Sequence, residues 1–340
     1  MQKRIQKWGG FLAGMVVPNI GAFIAWGLIT ALFIPTGWIP NEKFSALVGP
    51  MIVNLLPILI GYTGGKAVYG HRGGVIGAVA TVGAIVGSGV PQFLGAMIMG
   101  PISAWVLKKV DEKLEPVIPI GFELLINNFV IGILGGLFAM LALIAVGPFV
   151  DAVSAAAGTA VQALIDARLL PLVDLIVEPA KVLFLNNALN IGVLAPLGAA
   201  AAEETGRAIH FMLESNPGPG LGLLVAYWVA GKGMLKDSAP GSIIIHFLGG
   251  IHEIYFPYVL AHPIMILAMY AGGILADLWW TITDAGLVAT PSPGSIFAYL
   301  AMTPRGWYFQ VLMGVLIGAV ASFGAGYLLL KRFPVKEEEE

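Results

Sequence analysis

The sequence predicts an all-α, polytopic membrane protein with about ten transmembrane elements, re-entrant hairpins and an amphipathic interfacial helix. Hydrophobic residues make up 58% of its 340 positions and charged residues 11%, and the mean hydropathy is +0.87. Soluble domains carry about 25% charged residues. The formal net charge of −2 gives no indication of a nucleic-acid partner. The chain has no cysteine, which excludes disulfides, thiolate nucleophiles and cysteine-bound metals.

Uncharged windows long enough for a helical membrane crossing recur along the chain. The first, after a basic start, reads as a retained span because it has no small-residue cleavage pattern. The window 73–107 is too long for one helix, and GSGVPQF at 87–93 is predicted to divide it into two helices. The windows are 11–41, 44–65, 73–107, 124–150, 182–202, 254–276, 285–304 and 306–330.

Glycine and proline interrupt several windows, in LLPILIGYTGG, ESNPGPGLG, KDSAPGS, EIYFPYV and ATPSPGS. Non-helical backbone at membrane depth survives only where protein buries it or where it lines a cavity. Paired breaks of this kind point to the binding site of a transporter. For NPGPG and TPSPG, an ordinary turn and a re-entrant tip both remain open. The segment EETGRAIHFMLE at 203–214 carries its charges largely on one face and is predicted to be the amphipathic interfacial helix.

Basic residues predict that both termini are cytoplasmic. They flank the first and last spans, and they are Lys3, Arg4, Lys7, Lys331, Arg332 and Lys336. The final EEEE at 337–340 reads as an acidic tail or the start of a linker, so the membrane domain is predicted to cover 1–336.

The stretch GGIHEIYFPYVL holds the most informative ionisable residue, Glu253, with His252 beside it. The nearest lysine or arginine residues in the sequence are Lys236 and Arg305, so no local cation neutralises the carboxylate. An ionisable residue within a span indicates a functional site, because its burial is costly. The two glycines before the pair and Pro257 after it predict a re-entrant hairpin whose tip presents both side chains to a cavity.

The pair of His252 and Glu253 is compatible with more than one role. A zinc site needs a second histidine four positions after the first, and that position is Phe256, so no metal site is predicted. An internal ion pair and a proton relay through His252 and Glu253 remain open. Binding of a polar ligand is the interpretation that the residues favour.

A second group of polar residues lies in EPAKVLFLNNALN, where Asn186 and Asn190 are four apart and Asn187 lies three before Asn190. Such spacing places the amides on one helical face. They suit a ligand with many hydroxyls, and they suit equally well the hydrogen bonds that join helices in membranes. Glu178 and Lys181 are three apart and are predicted to pair, with Lys181 kept as a secondary ligand candidate.

A third and weaker group is GFELLINNF, which contains Glu123 and Asn127. Glu123 is predicted to cap its helix, where a carboxylate is favoured, and both residues are secondary ligand candidates. Carboxylates, amides and an imidazole together match an uncharged ligand rich in hydroxyls, because hydrogen bonds to a charged group contribute about 1.5–3 kcal/mol each. These groups indicate a polyhydroxy substrate and do not name it.

The same segments resemble the mannitol permeases of the bacterial phosphoenolpyruvate-dependent phosphotransferase system. The resemblance covers nearly the whole chain and rests on several motifs in order. They are MVVPNIGAFIAWGLITALFIPTGWIPNE, LLPILIGYTGGK, GFELLINNF, EPAKVLFLNNALN, NPGPGLG, SAPGSIIIHFLG, GIHEIYFPYVL and SPGSIFAYLAMTP.

The resemblance implies a homodimeric enzyme IIC domain in the bacterial inner membrane that binds mannitol and moves it inward by alternating access. A IIB domain would then phosphorylate the substrate from a phosphocysteine that a IIA domain recharges. Residues 1–150 would form the fixed dimerisation half and 151–336 the moving, substrate-binding half. The family's substrate-contacting glutamate falls on Glu253. The alternative is a proton-coupled polyol transporter using His252 and Glu253.

Two departures from the family's pattern are visible. Where its members usually read Asn-His-Gly, this chain has Asn190, Ile191 and Gly192. The phosphoryl-carrying cysteine is also missing, because the chain has none. The IIB domain is therefore expected on a separate polypeptide or beyond the acidic linker, and this chain is not expected to be catalytic alone. No cofactor is predicted.

Overall fold

The computed structural model describes residues 11–12, 14–35 and 38–334, without the side chains of Asn187, Ala188 and Ile191. The predictions made for Lys3, Arg4, Lys7, Lys336 and the acidic tail therefore lie outside the described residues, and so do those made for the side chains of Asn187 and Ile191.

The described residues confirm the all-helical class: they form helices and turns, with one isolated bridge between Ala208 and Leu287. The α-helices are α1 (Ile20–Phe33), α2 (Glu42–Ser45), α3 (Val48–Pro50), α4 (Leu56–Val86), α5 (Phe93–Leu114), α6 (Glu123–Leu141), α7 (Gly147–Asp166), α8 (Asp174–Val182), α9 (Asn186–Leu189), α10 (Ala195–Thr205), α11 (His210–Leu213), α12 (Pro217–Ala230), α13 (Gly233–Ile243), α14 (Phe256–Ala261), α15 (Ile266–Thr283), α16 (Ile296–Met302) and α17 (Tyr308–Arg332). Short 3₁₀ turns cover Val17–Asn19, Glu115–Val117, Leu170–Leu172, His252–Ile254 and Pro263–Met265, and π turns cover Met51–Leu55, Ala142–Val146, Asn190–Leu194 and Ile244–Leu248.

Within the described ranges, six helical runs are long and apolar enough to cross a membrane, which confirms a multi-pass membrane protein. The predicted division at 87–93 is also confirmed, because α4 ends at Val86 and α5 begins at Phe93. The count of about ten crossings stays a prediction. The six runs are Gly14–Phe33, Glu42–Val86, Phe93–Val117, Glu123–Asp166, Pro263–Thr283 and Tyr308–Arg332.

The chain divides into two compact units. Unit 1 contains the described residues up to Ala22 together with Val48–Val153. Unit 2 contains the described residues of Phe23–Leu47 and those from Ser154 onwards. The segment 23–47 therefore groups with the second part of the chain, although the predicted boundary near residue 150 assigned it to the first.

Unit 1 is organised around a helical hairpin within α4. The backbone leaves helical geometry at Tyr69 and Gly70, and Gly70 has a φ of 57°, so the helix turns back on itself there. The two arms pack closely: a Cβ on Gly65 would overlap the backbone of Gly73, and one on Gly77 would overlap that of Gly61. Small residues at such crossings let helix backbones approach closely inside membranes.

An ion pair ties the hairpin of unit 1 to α5. The Arg72 guanidinium donates to both carboxylate oxygens of Asp111, the shortest distance being 2.7 Å. Farther along, Ser88 donates a hydrogen bond of 2.6 Å to Asp151 and accepts one from Gln92. The loop that divides α4 from α5 is thereby joined to α7.

Unit 2 has its core around Trp280 on α15, which is fully buried with Tyr299 and Met212. The Trp280 indole N–H donates to the Val311 carbonyl at 3.1 Å, which satisfies the one polar atom of this side chain and fixes α15 against α17. These long helices carry the shorter, broken segments in which the polar residues lie.

Two predictions for unit 2 are wrong. The segment 203–214 is no continuous amphipathic helix, because α10 ends at Thr205, Gly206 adopts a φ of 78° and α11 begins only at His210. Glu214 at its end is 6% exposed. The window 285–304 is likewise not a spanning helix: it holds an extended loop, with a cis bond between Ser292 and Pro293, and then the seven-residue α16.

Candidate functional site

The helix that leads into Glu253 is broken, as its glycines and proline predict. After the π turn at Ile244–Leu248 the chain passes through Gly249 and Gly250 before the single 3₁₀ turn at His252–Ile254. Gly250 has a φ of 79°, and a Cβ there would overlap the backbone of Gly294 and Ser295. Only glycine fits this position without strain. Pro257 lies in the first turn of α14, where its missing N–H costs no hydrogen bond.

Glu253 lies at this break and is partly buried. Its Oε1 accepts a hydrogen bond of 3.2 Å from the Asn186 side-chain amide. Throughout the described part of the chain, no lysine or arginine forms an ion pair with Glu253. Asn186 is 5% exposed and opens α9, directly after a break at Phe184, whose φ is 62°. The structure thus joins the two segments that sequence motifs had singled out separately.

Asn190 makes the equivalent contact with a residue that the sequence motifs did not single out. Its amide donates a hydrogen bond of 2.9 Å to Oε2 of Glu214, and Asn186 also lies next to that carboxyl group. The signal for Glu214 was its place as the first residue of the interrupted motif ESNPGPGLG. There Asn216 caps α12 by accepting from the N–H of Gly218 at 2.9 Å. We call Glu253, Asn186, Asn190 and Glu214 the carboxyl–amide cluster.

Lys181 lies buried next to the cluster, and its role as a secondary ligand residue stays a prediction. Its ammonium, which is fully buried, donates to Glu178 at 2.7 Å, and the predicted pair is therefore confirmed. It also donates to the main-chain carbonyl of Glu214 at 3.4 Å and lies 5.9 Å from the centre of the Tyr255 ring. These contacts connect α8 to both carboxyl-bearing segments.

His252 holds the loop in place through its own ring. Its Nε2 forms a hydrogen bond of 3.1 Å with the Gly294 carbonyl, and the side chain is 4% exposed. The ring packs edge-on against His246 at 4.6 Å between centroids, and His246 in turn bonds to the Pro217 carbonyl at 3.0 Å. His246, six residues before His252 in the sequence, therefore belongs to the same support.

The remaining candidates lie elsewhere. Glu123 and Asn127 are on α6 of unit 1, where the Glu123 carboxylate accepts from the N–H of Gly121 at 2.8 Å, close to the start of its helix. A cleft of about 220 Å³ in unit 2 has Gly249, four residues before Glu253 in the sequence, in its wall. Its aromatic side is formed by Trp38 and Phe297, whose rings meet edge-on at 5.0 Å.

Both carboxyl groups of the cluster lie outside the six candidate spans, and burial raises the pKa of each. The pKa of Glu214 rises to about 7 and that of Glu253 rises above its usual range, with the Asn186 amide acting in the opposite direction. A carboxyl group near its pKa can accept hydrogen bonds as the anion or donate one as the acid. The cluster therefore suits a ligand whose groups both donate and accept, as hydroxyls do.

A multi-pass helical chain in which no lysine or arginine of the described residues forms an ion pair with the partly buried carboxyl–amide cluster has the features of a membrane protein that handles uncharged polar solutes. A family described as "Phosphotransferase system, EIIC" matches residues 13–272. The chain belongs to this phosphotransferase system EIIC family.

Relatives match over nearly the whole chain. It is 60% identical over 336 residues to the "PTS system mannitol-specific EIICB component" of Geobacillus stearothermophilus, covering 99% of this chain and 71% of that protein. Identity to the component of the same name in Bacillus subtilis (strain 168) is 55%, covering 100% and 71%. The "PTS system mannitol-specific EIICBA component" of Escherichia coli (strain K12) is 54% identical, covering 99% of this chain and 53% of its own length.

Proposed function

We propose that this chain is the mannitol-specific transport component of a bacterial phosphotransferase system. It binds mannitol, carries it inward by alternating access and presents it to a IIB domain for phosphorylation. The names of the relatives support the substrate, at 54–60% identity over almost the entire chain. The alternative of a proton-coupled transporter finds no support in them.

The observation that carries this proposal is the carboxyl–amide cluster. Mannitol is neutral and bears a hydroxyl on every carbon, so its partners must supply many acceptors and donors without a fixed counter-charge. Glu253 and Glu214 offer four carboxyl oxygens, and Asn186 and Asn190 lie between them. A site built from such groups strongly rejects molecules that lack the hydroxyls, because its own polar atoms would be left unpaired.

The roles within the cluster follow from exposure. Glu253 is the more accessible carboxyl group, so it is the primary substrate contact. Asn186 and Asn190 orient the two carboxyl groups and have donor capacity to spare. His252 and Lys181 are buried behind them and act by positioning, through Gly294 and through the Glu214 carbonyl respectively.

The remaining parts of the proposal rest on the family resemblance and on charge. The part of the chain after residue 150 would move with the substrate, in agreement with the placement of the whole cluster in unit 2. The earlier part would form the fixed half of a homodimer. Both termini would be cytoplasmic, and a IIB domain would supply the phosphoryl group from its phosphocysteine.

Equilibrium binding of radiolabelled mannitol to the purified protein tests the function. We expect binding that excess mannitol displaces and that sorbitol and fructose displace less well. Glu253→Gln should abolish measurable binding and Glu214→Gln should weaken it, whereas Glu204→Gln, on an exposed position of α10, should leave it unchanged. Full binding by Glu253→Gln would refute the proposed site.

Transport is tested separately in proteoliposomes. Uptake of labelled mannitol should depend on a phosphorylated IIB domain on the cytoplasmic side. Uptake driven by a pH gradient alone would contradict the proposal and favour proton coupling through the Glu253 region.

A further inference from the structure

Two further acids are buried in unit 2, away from the carboxyl–amide cluster. Asp174 begins α8 and Asp277 lies on α15, and their exposures are 1% and 0%. Nothing in the proposed handling of mannitol uses either side chain. Buried acids without a stated role are unusual enough in a membrane protein to indicate one.

Glycine at position 273 brings these two acids together. A Cβ on Gly273 would overlap the Asp174 carboxyl group, so that group rests directly on the α15 backbone. Asp277 follows Gly273 by four residues and projects from the same face of α15, one turn farther on. The two carboxyl groups lie within hydrogen-bonding reach of each other.

The surrounding charges do not balance if both acids are ionised. Glu178 and Lys181 are equally buried, and they neutralise each other through their 2.7 Å contact. No ion pair reaches Asp174 or Asp277 anywhere in the described ranges. Among the described residues, no donor forms a hydrogen bond with either carboxyl oxygen of Asp277 or with Oδ1 of Asp174.

Two ionised carboxylates cannot share a dry site without a cation or a proton between them. We propose that Asp174 and Asp277 share one proton at neutral pH and that this proton-sharing carboxyl pair joins α8 to α15. One group, as the acid, donates its O–H to an oxygen of the other. This makes α8, which also carries the Glu178–Lys181 pair, a segment whose attachment to α15 depends on a bound proton.

The carboxyl pair should make the folded protein less stable as pH rises. Burial, and next the neighbouring Glu178, raise the pKa of Asp174, which lies outside the candidate spans. The folded protein therefore holds a proton that the unfolded chain releases at lower pH, so this contribution to stability is lost as pH rises. The other titratable groups that act on the pair are Glu178 and Lys181 of α8 and the Tyr299 phenol of α16.

Infrared spectroscopy of the purified protein tests the proposal. Wild type should show the carbonyl band of a protonated carboxylic acid that is protected from deuterium exchange, and alkaline pH should remove it. The comparison is made in a background that carries Glu214→Gln and Glu253→Gln, because burial raises the pKa of both carboxyl groups and each would add a band of its own. In this background Asp277→Asn should remove the band at neutral pH as well, because its amide then donates to an ionised Asp174. The matched control Asp237→Asn, on an exposed position of α13, should keep the band.

Thermal unfolding gives the second measurement. The Tm of wild type should fall as pH rises above neutral, whereas that of Asp277→Asn or Asp174→Asn should change little, because an amide cannot lose the shared proton. An unchanged infrared band in both variants would overturn the proposal. A Tm that depends on Na⁺ or K⁺ in wild type but not in the variants would also overturn it, and would assign the site to a cation. Neither the infrared result nor the Tm result depends on mannitol binding, so this proposal can fail without the proposed function failing.

Discussion

The side-chain amide of Asn186 donates a hydrogen bond of 3.2 Å to the carboxylate of Glu253, 67 residues farther along the chain. Asn186 lies in the first turn of α9, which follows one break in the helical backbone. Glu253 lies in the single 3₁₀ turn His252–Ile254, which is part of a second break. Because both residues sit at helix breaks, their polar atoms are not committed to a regular helical surface. In the proposed function, this contact is the place where mannitol exchanges hydrogen bonds with the protein.

Replacing Asn186 by alanine should weaken mannitol binding about tenfold to a hundredfold, because a hydrogen bond to a charged group contributes roughly 1.5–3 kcal/mol. The measurement is the Kd for labelled mannitol, with thermal unfolding as a check on folding. Asn54→Ala, at an exposed position of the π turn Met51–Leu55 in unit 1, is the control and should bind normally. An unaltered Kd for the Asn186 variant would show that this amide only joins helices.

Mannitol 1-phosphate should bind much more weakly than mannitol. The carboxyl–amide cluster contains two acidic groups, and Lys181, which among the described residues is the buried lysine next to it, already forms an ion pair with Glu178. A phosphate would therefore meet like charge without a cation to compensate it. Competition against labelled mannitol measures the difference, and equal affinities would remove this explanation of one-way transport.

Lys181→Met should destabilise the protein by about 3–5 kcal/mol, because it leaves the Glu178 carboxylate buried without its partner. Adding Glu178→Leu should recover much of this loss, since removal of both charges leaves no unpaired ion. Unfolding in a fixed detergent gives the comparison.

The exposed pair Lys109–Glu112 has the same spacing and the same 2.7 Å distance, and it serves as the control for this cycle. Lys109→Met should cost at most about 1 kcal/mol, because solvent screens an exposed pair. Similar losses at the two sites would contradict the assignment of Lys181 as a buried support.

Gly250→Ala should reduce mannitol affinity while the helices remain folded. The substitution forces a Cβ towards the backbone of Gly294 and Ser295 and leaves an alanine at a φ of 79°. The loop must shift, and Glu253 shifts with it. Circular dichroism and mannitol binding separate the two effects. Gly241→Ala, where the structure leaves open space for a Cβ, should change neither.

Local features of the structure were predictable from the sequence. The helical class, the division between α4 and α5, the break around Gly249–Gly250 and the Glu178–Lys181 pair all depend on residues within a few positions of one another. Hydropathy and helical spacing report such relationships directly. The prediction for the segment 203–214 was wrong because it rested on local spacing alone. That spacing resembles an amphipathic surface, but Gly206 ends the helix and packing against Trp280 buries the residues that follow.

The sequence by itself determined that a carboxylate without a neighbouring cation stands at a helix break in a membrane protein, and similarity to relatives points to its substrate. Only the tertiary structure decided that Asn186 and Glu214 accompany Glu253, that His252 faces Gly294 and that Asp174 meets Asp277. These pairs come from separate elements. Which faces of those elements meet depends on packing of the intervening helices, and that information is not contained in the spacing along any one of them.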